Sequence, residues 1–530
     1  MGDIKLGDVV ALQGPVEGEQ QPVGKEDGLA PESSQLAQDS ADMCRLGRSQ
    51  QLTRNFHSLS TLGLTCIIMG TWNGWLASSS FCLIDGGRAG SIWIFLVAWI
   101  FEFFVTISMA EMASMAPTSA GQYHWVSEFS PPRLQKYLSY FAGWLSALGW
   151  QAIIAATAFA SGQIILVIGG LQYGWSPTQW EEMIMTWVMA LAAVSFNIFA
   201  AKHLPLFEGV ILFFNIIGFF AVCIPLWVLA PKAPSSEVWG KFYNGGGWSS
   251  TGVAAVVGIL APSGAFIGAD SAAHMSEETK NASITVPRMM QLTIIINGVL
   301  GWIMAITYCY VIQDLQEQIV QSDAVFPFVG VFAVGTGSQA GAIGMTVPII
   351  VLQFAMCLNA TAAGSRQAWS FARDEGLPFS SFFRKVRIVS GTPLPINAMV
   401  FCESIVFALG LLSLGGSEVF NSIAGLVSGA VGLTYGLSIG CVLWRRIWGA
   451  PLPHARWSLG RLGVPFNALA FFFQIFVVII SFFPLFAKVN AAAMNWGIAM
   501  FAGAAVIAVV DYVVRGRHVY KGPVVHIKHE

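Results

Sequence analysis

Two stretches of this chain set flexible backbone and hydrogen-bonding side chains in the middle of apolar sequence. The first is Gly70-Thr71-Trp72-Asn73-Gly74, within the apolar run 62–83. The second is Ala261-Pro262-Ser263-Gly264-Ala265-Phe266-Ile267-Gly268, within the run 253–273. Each run approaches the ~20 residues that cross a bilayer as a helix. Helix-weakening residues at that depth leave backbone groups unpaired, which is tolerated where they line a cavity. A broken helix offers free N–H groups at the start of one half, which attract a carboxylate. The free C=O groups ending the other half attract an ammonium or a cation. Gly70 and Gly74 let backbone approach a ligand, and Thr71 and Asn73 add side-chain hydrogen bonds. Gly70 and Gly74 also have the spacing of a Gly-x-x-x-Gly helix contact, so close packing is the competing reading. Trp72 and Phe266 would supply an apolar or cation-attracting wall.

Other polar residues lie at membrane depth. Asp270, His274, Glu277 and Glu278 form a polar run where the second broken segment ends; Asp270 and His274 read as an inner gate or proton path, or as helix-end groups in the headgroup zone. Glu102 and Glu403 lie inside apolar runs, where each would take up a proton or stay neutral and hydrogen-bonded. Glu208 reads as an interface residue near Lys202 and His203. Asn359 and Thr361 would face the first break and contact an ion or substrate, with Gln151 and Asn215 as further candidates.

These residues need a membrane scaffold to hold them. Of 530 residues, 55% are hydrophobic and 11% charged, against ~25% charged in soluble domains. Apolar runs fall near 60–83, 91–113, 137–170, 184–201, 204–230, 253–273, 289–312, 341–365, 395–414, 420–444, 464–487 and 495–514, so an all-α integral membrane protein with twelve spans is expected. The third run is too long for one perpendicular crossing and must tilt or overshoot. The odd-numbered loops hold only Arg88, Lys232, Lys241 and Lys488, against fourteen basic residues in the even-numbered loops. That bias predicts both termini in the cytoplasm. Spans 1–5 and 6–10 each open with a broken helix and run in opposite senses, as in inverted-repeat transporters, with spans 11 and 12 appended. Residues 1–57 are polar and predicted to be a disordered cytoplasmic tail, with Lys5 and Lys25 as solvated or modified positions; 58–515 form the transporter domain and 516–530 a second tail. Seven of the eight cysteines fall in apolar runs, so neither a metal site nor a disulfide framework is expected. The sequons at Asn281 and Asn359 fall in a cytoplasmic loop and a span and should carry no glycan. No Walker-type loop occurs, and nothing points to ATP, a nucleic acid or an obligate protein partner.

Four motifs then resemble one family. The stretch 111–126, with Glu111, Pro117, Gly121, Tyr123 and Trp125, is similar to a signature of the amino acid–polyamine–organocation superfamily. Gly143-Trp144 through Gly149-Trp150-Gln151 is similar to fungal GABA and choline permeases. So are 268–287 (Gly268, Asp270, His274, Glu277, Glu278, Lys280, Pro287) and 365–378 (Ser365, Arg366, Trp369, Arg373, Asp374, Gly376, Pro378). The resemblance spans about 60–515. It implies the leucine-transporter fold, with substrate held between breaks at Gly70–Gly74 and Ala265–Asp270. It also implies uptake of an amino acid or small amine at the plasma membrane, usually with a proton and without a bound cofactor. Trp72 departs from the small residues common in that superfamily, which leaves GABA-like and neutral amino acids against choline or polyamines as rival substrates. A sodium site near Asn359 and Thr361 is an alternative coupling. A nutrient receptor would carry longer soluble extensions, and no nucleophile–base pair suggests an enzyme.

Overall fold

In the computed structural model, residues 31–322, 324–415, 418–489 and 494–526 are described. The described residues are mostly helical. Helix α1 (Pro31–Arg45) precedes the interrupted segment α2 (Ser58–Met69) and α3 (Thr71–Ile84), followed by α4 (Gly87–Met115) and the short α5 (Gln122–Phe129). Next come α6 (Gln135–Tyr173), α7 (Gln179–Phe199), α8 (Leu204–Leu229) and α9 (Ser235–Gly240). The second interrupted segment is α10 (Thr251–Val257), α11 (Leu260–Ala265) and α12 (Ser271–His274). The remainder is α13 (Ala282–Val311), α14 (Phe328–Thr336), α15 (Gln339–Arg373), α16 (Ser380–Phe383), α17 (Ile396–Gly410), α18 (Glu418–Trp448), α19 (Gly463–Ile480) and α20 (Gly497–Asp511).

Among the described residues, ten helices are long and apolar enough to cross a membrane, so the chain is a multi-pass, all-α membrane protein. Helix α6 is continuous over 39 residues, about 58 Å at 1.5 Å per residue, which exceeds the ~30 Å hydrocarbon layer. Pro225, Pro287 and Pro348 lie inside α8, α13 and α15 without ending them. Helix α2 packs on α8 and α13, α4 on α13 and α19, and α6 on α15 and α18. Exposed Val, Ile, Leu and Phe side chains along α8 and α20 form a lipid-compatible exterior.

Two small antiparallel pairings sit outside the helices. Strand β1 (Asp85–Gly86) pairs with β2 (Tyr243–Asn244), tying the end of α3 to the segment before α10. Strands β3 (Arg387–Val389) and β4 (Thr392–Leu394) form a hairpin between α16 and α17. Its turn residues Ser390 and Gly391 have φ of 51° and 84°, as a tight hairpin requires.

The predicted disordered tail is corrected over residues 31–57; residues 1–30, with Lys5 and Lys25, lie outside the described residues. Asp39 and Met43 on α1 and Leu46 just past its end recur at i, i+4 and i+7 and are buried, an amphipathic spacing that docks the helix. The Asp39 carboxylate accepts from the backbone N–H groups of Asn281 (2.9 Å) and Ala282 (3.1 Å) at the start of α13. Beyond α1 the chain runs as a strap to Phe56, whose N–H donates to the Glu278 carbonyl while its carbonyl accepts from Lys280 N–H, both at 2.9 Å. Seven cysteines are buried, and Cys44 on α1 is exposed.

Candidate functional site

Both breaks exist, and glycine makes each of them. Gly70 is left-handed (φ 39°, ψ 41°) and is at once the C-cap of α2 and the N-cap of α3. A methyl group there would lie 2.8 Å from Met356 Sδ and 2.9 Å from the Ile67 carbonyl. Gly74 is not part of the break: it sits in regular helix, where an added methyl would meet Met356 Cε at 3.8 Å. In the second segment the backbone unwinds at 266–270 and not at Pro262-Ser263-Gly264. Pro262 falls in the first turn of α11, where a missing N–H costs no intrahelical bond. Gly268 has φ 118°, and a methyl on it would lie 2.6 Å from Ile68 Cγ2, so the two broken segments meet there. Thr71 fastens them: its N–H donates to Asn297 Oδ1 and its hydroxyl to the Ala265 carbonyl, each at 3.0 Å.

Beside the breaks lies a cavity of about 140 Å³. Gly74, Ala265 and Ile267 line it, as do Ile68, Met69 and Phe81. Three other helices contribute walls that the sequence did not single out: Ile153 and Thr157 from α6, Gln353 and Met356 from α15, Val427 and Ser428 from α18. These are ordinary core residue types, so only the packing of the helices around the breaks reveals them. Among the described residues, no formally charged side chain lines the cavity.

Several expected contacts point elsewhere. Trp72 is buried against α8, its Nε1 donating to Asn215 Oδ1 at 2.7 Å and its ring edge-on to Phe219. Trp72 and Asn215 thus serve each other, and neither lines the cavity. Phe266 packs on Phe95 with ring centroids 5.3 Å apart and also stays outside the lining. Thr71 spends its polar groups on the protein. The Asn73 side chain is buried with neither amide atom hydrogen-bonded, and its carbonyl accepts from Gln353 Nε2 at 3.4 Å. The Thr361 hydroxyl returns to the Cys357 carbonyl of its own helix. Asn359 donates to Glu208 Oε2 at 2.8 Å and so does not face the first break as expected. Gln151 donates to the Ala147 carbonyl and lines a separate apolar pocket with Trp144 and Phe401. Glu102 is buried in α4 and outside the cavity lining.

Next to the second break, Asp270 and His274 form one buried network. Asp270 accepts from Gln122 Nε2 at 2.7 Å and from the Tyr435 hydroxyl at 2.5 Å. The Tyr435 oxygen lies 3.4 Å from the Gly268 N–H, which donates to it. Trp150 Nε1 donates to His274 Nε2 at 3.0 Å, so the ring proton sits on Nδ1 and donates to the Ser119 carbonyl at 2.9 Å. Deeper on this arginine-rich face, Arg373 forms a two-pronged pair with Glu277 (2.7 and 2.9 Å), and Arg366 pairs with Glu278 at 2.7 Å. Arg48 from the strap and Tyr123 from α5 both donate to Asp374 Oδ2, at 2.6 and 2.9 Å. Burial pushes the Glu277 and Asp374 carboxyls up. The facing guanidinium groups, Arg373 and Arg48 respectively, outweigh it and hold both below the ordinary carboxylate range. Buried ion pairs therefore tie the segment after the second break, the end of α15 and the strap to one another on this face.

Residues 59–508 match the family model described as amino acid permease, and the chain belongs to that family, within the amino acid–polyamine–organocation superfamily. It is similar to an uncharacterised amino-acid permease of Schizosaccharomyces pombe, with 27% identity over 93% of this chain and 90% of the relative. It is also similar to amino-acid permease 2 of Neurospora crassa (26%, 91% and 88%) and to a choline transporter of Saccharomyces cerevisiae (24%, 88% and 82%). The protein is a transporter for amino acids or amines, and the family is not an enzymatic one.

Proposed function

We propose that the protein is a secondary active importer of neutral amino acids, α-amino or GABA-like, working by alternating access with a proton. The observation that carries this reading is the uncharged cavity at the meeting of the two breaks. A zwitterion has no net charge, so it leaves no uncompensated ion in such a site, whereas a polyamine would bury several unpaired charges. Its carboxylate would meet the first-turn N–H groups of α3 at Trp72 and Asn73, and its ammonium the carbonyls ending α2 and α11. The unpaired Asn73 amide adds a further polar group to that meeting point. The remaining lining (Ile153, Met356, Val427) suits an apolar side chain. The family tie to a choline transporter favours an amine as the second reading, but the two aromatics expected to cage a quaternary ammonium, Trp72 and Phe266, are engaged with Asn215 and Phe95.

In this cycle the cavity side faces outward and the arginine-rich face is cytoplasmic, as the loop charges favour. The two interrupted segments complete twelve crossings, and the plasma membrane is the expected location. Competition against uptake of labelled alanine tests the substrate class. Leucine and GABA are expected to compete, and choline and putrescine to leave uptake unchanged. Stronger competition by choline than by any amino acid would sink the reading.

A further inference from the structure

Glu208, the expected interface residue, has more unusual surroundings than that role requires. Its side chain is fully buried in α8, two turns toward the arginine-rich face from Asn215. Oε2 accepts from Asn359 Nδ2 of α15 at 2.8 Å, while Glu208 Oε1 and Asn359 Oδ1 are both buried without a hydrogen-bond partner. The same residue's backbone marks the tightest crossing of α2 on α8: a methyl group at Gly63 would lie 2.2 Å from the Glu208 carbonyl oxygen. The carboxyl therefore joins α8 and α15 where α2, the half-helix ending at the Gly70 hinge, presses against them.

No cation neutralises it among the described residues. On its own side of the chain Lys202 and His203 are exposed. From α2 the titratable group is Cys66, which contacts Thr293; α14 contributes none. From α13, Arg288 is exposed, and Tyr308, Cys309 and Tyr310 lie near its far end. From α15, Arg366 and Arg373 are occupied by Glu278 and Glu277, and Cys357 faces the Ile154 carbonyl. The partner that remains, Asn359, serves both protonation states. With its NH2 toward Glu208 it donates to a carboxylate. Turned by half a rotation, its C=O accepts from a carboxylic acid at the same separation. A buried carboxyl whose partner exchanges donor for acceptor can gain and lose a proton without losing its hydrogen bond.

From this geometry we infer that Glu208 is the proton-carrying group of the transport cycle, with Asn359 as its switching partner and the α2 hinge as the element it biases. The proton enters from the cavity side, forms the carboxylic acid hydrogen-bonded to the Asn359 carbonyl, and leaves to the arginine-rich side as the carboxylate recovers the Asn359 NH2. No other bond is made or broken. This assignment rests on the proton-coupled reading above.

The test uses the full chain in proteoliposomes, labelled alanine and a pH gradient of about one unit, acid outside. One coupled proton then supports about tenfold accumulation. The native protein should reach it. Glu208→Gln should only equilibrate the label while exchanging alanine for alanine at the native rate, which shows that it is folded and binds substrate. Asn359→Ala removes the partner of both protonation states, so accumulation should fall well below tenfold while alanine exchange is retained; full tenfold accumulation by this variant would overturn the switching role. A Glu208→Gln protein that still accumulates tenfold, or one that loses exchange and accumulation together, overturns the assignment. A native protein that accumulates alanine without regard to the pH gradient overturns proton coupling as a whole.

Discussion

Gly70 and Gly268 show how far single residues govern this site. Each holds a backbone conformation that L side chains rarely adopt, and each lies where a methyl group would collide: at Gly70 with Met356 of α15 and the Ile67 carbonyl, at Gly268 with Ile68 of the other broken segment. Gly268→Ala is therefore expected to abolish uptake, and Gly70→Val likewise, with the protein still present at the membrane. Gly74→Ala should behave differently. It gains up to about 1 kcal/mol of helix propensity and meets Met356 only at ordinary contact distance, but it narrows the cavity. Uptake assays on the three variants should show loss of transport for the first two. The third should show a raised KM confined to the larger amino acids. Equal loss in all three would remove the distinction between hinge and wall. The sequence revealed the hinge because glycine carries its conformational freedom in its identity. It did not reveal where Trp72 points, because that depends on the phase of α3 against α8, and the deciding partner, Asn215, lies 143 residues away.

At the scale of elements, the long apolar helices were readable from hydropathy, since burial in a bilayer demands such runs. The second segment unwinds at 266–270, within the Ala265–Asp270 that the family motif implied and just past the Pro262-Ser263-Gly264 that composition singled out, because proline in a helix's first turn resembles proline in its interior. The docked part of the tail escaped notice because three anchoring residues are diluted in polar sequence. One connection between elements carries its own pH dependence. Asp85, at the join of α3 and β1, accepts from the Gly246 N–H and from Trp248 Nε1, both at 3.1 Å. Burial raises its carboxyl to about 6 despite these two hydrogen bonds. A carboxyl raised in the folded state keeps its proton where the detached one has lost it. The β1–β2 connection is thus firmest at low pH and weakens as pH rises from about 4 to about 6, staying at its weaker level above that. Hydrogen exchange at Tyr243–Gly246, compared between pH 5 and pH 7 after correction for intrinsic rates, should show greater protection at pH 5. Asp85→Asn should remove the difference.

Across the whole molecule, the arginine-rich face is held by the opposite logic. Glu277 and Asp374 ionise more readily in the fold than outside it, so the stability they supply is present above about pH 4.5 and is lost as the pH falls through their lowered values. Thermal melts in detergent should fall on acidification below about pH 4. Arg373→Ala leaves Glu277 buried without its main partner, which costs about 3–5 kcal/mol when a buried pair is broken. Arg373→Ala/Glu277→Ala, with both charges gone, should recover much of the lost melting temperature. A double variant no more stable than the single one would mean that the pair contributes little to holding this face. The motif containing Arg366, Arg373 and Asp374 was visible in the sequence, but its partners were not: Arg48 comes from the polar tail, and Glu277 and Glu278 from beyond the second break.

The docking of α1 has a practical consequence for following this protein at work. Cys44 lies exposed on a helix whose neighbouring residues grip the start of α13 and the Asp374 cluster, while the other seven thiols are buried. A maleimide fluorophore would consequently report from one native position without mutagenesis. Through Asp39 and Arg48 that position is tied to the start of α13 and to the Asp374 cluster, so a substrate-dependent change in its emission would time a rearrangement of that face directly.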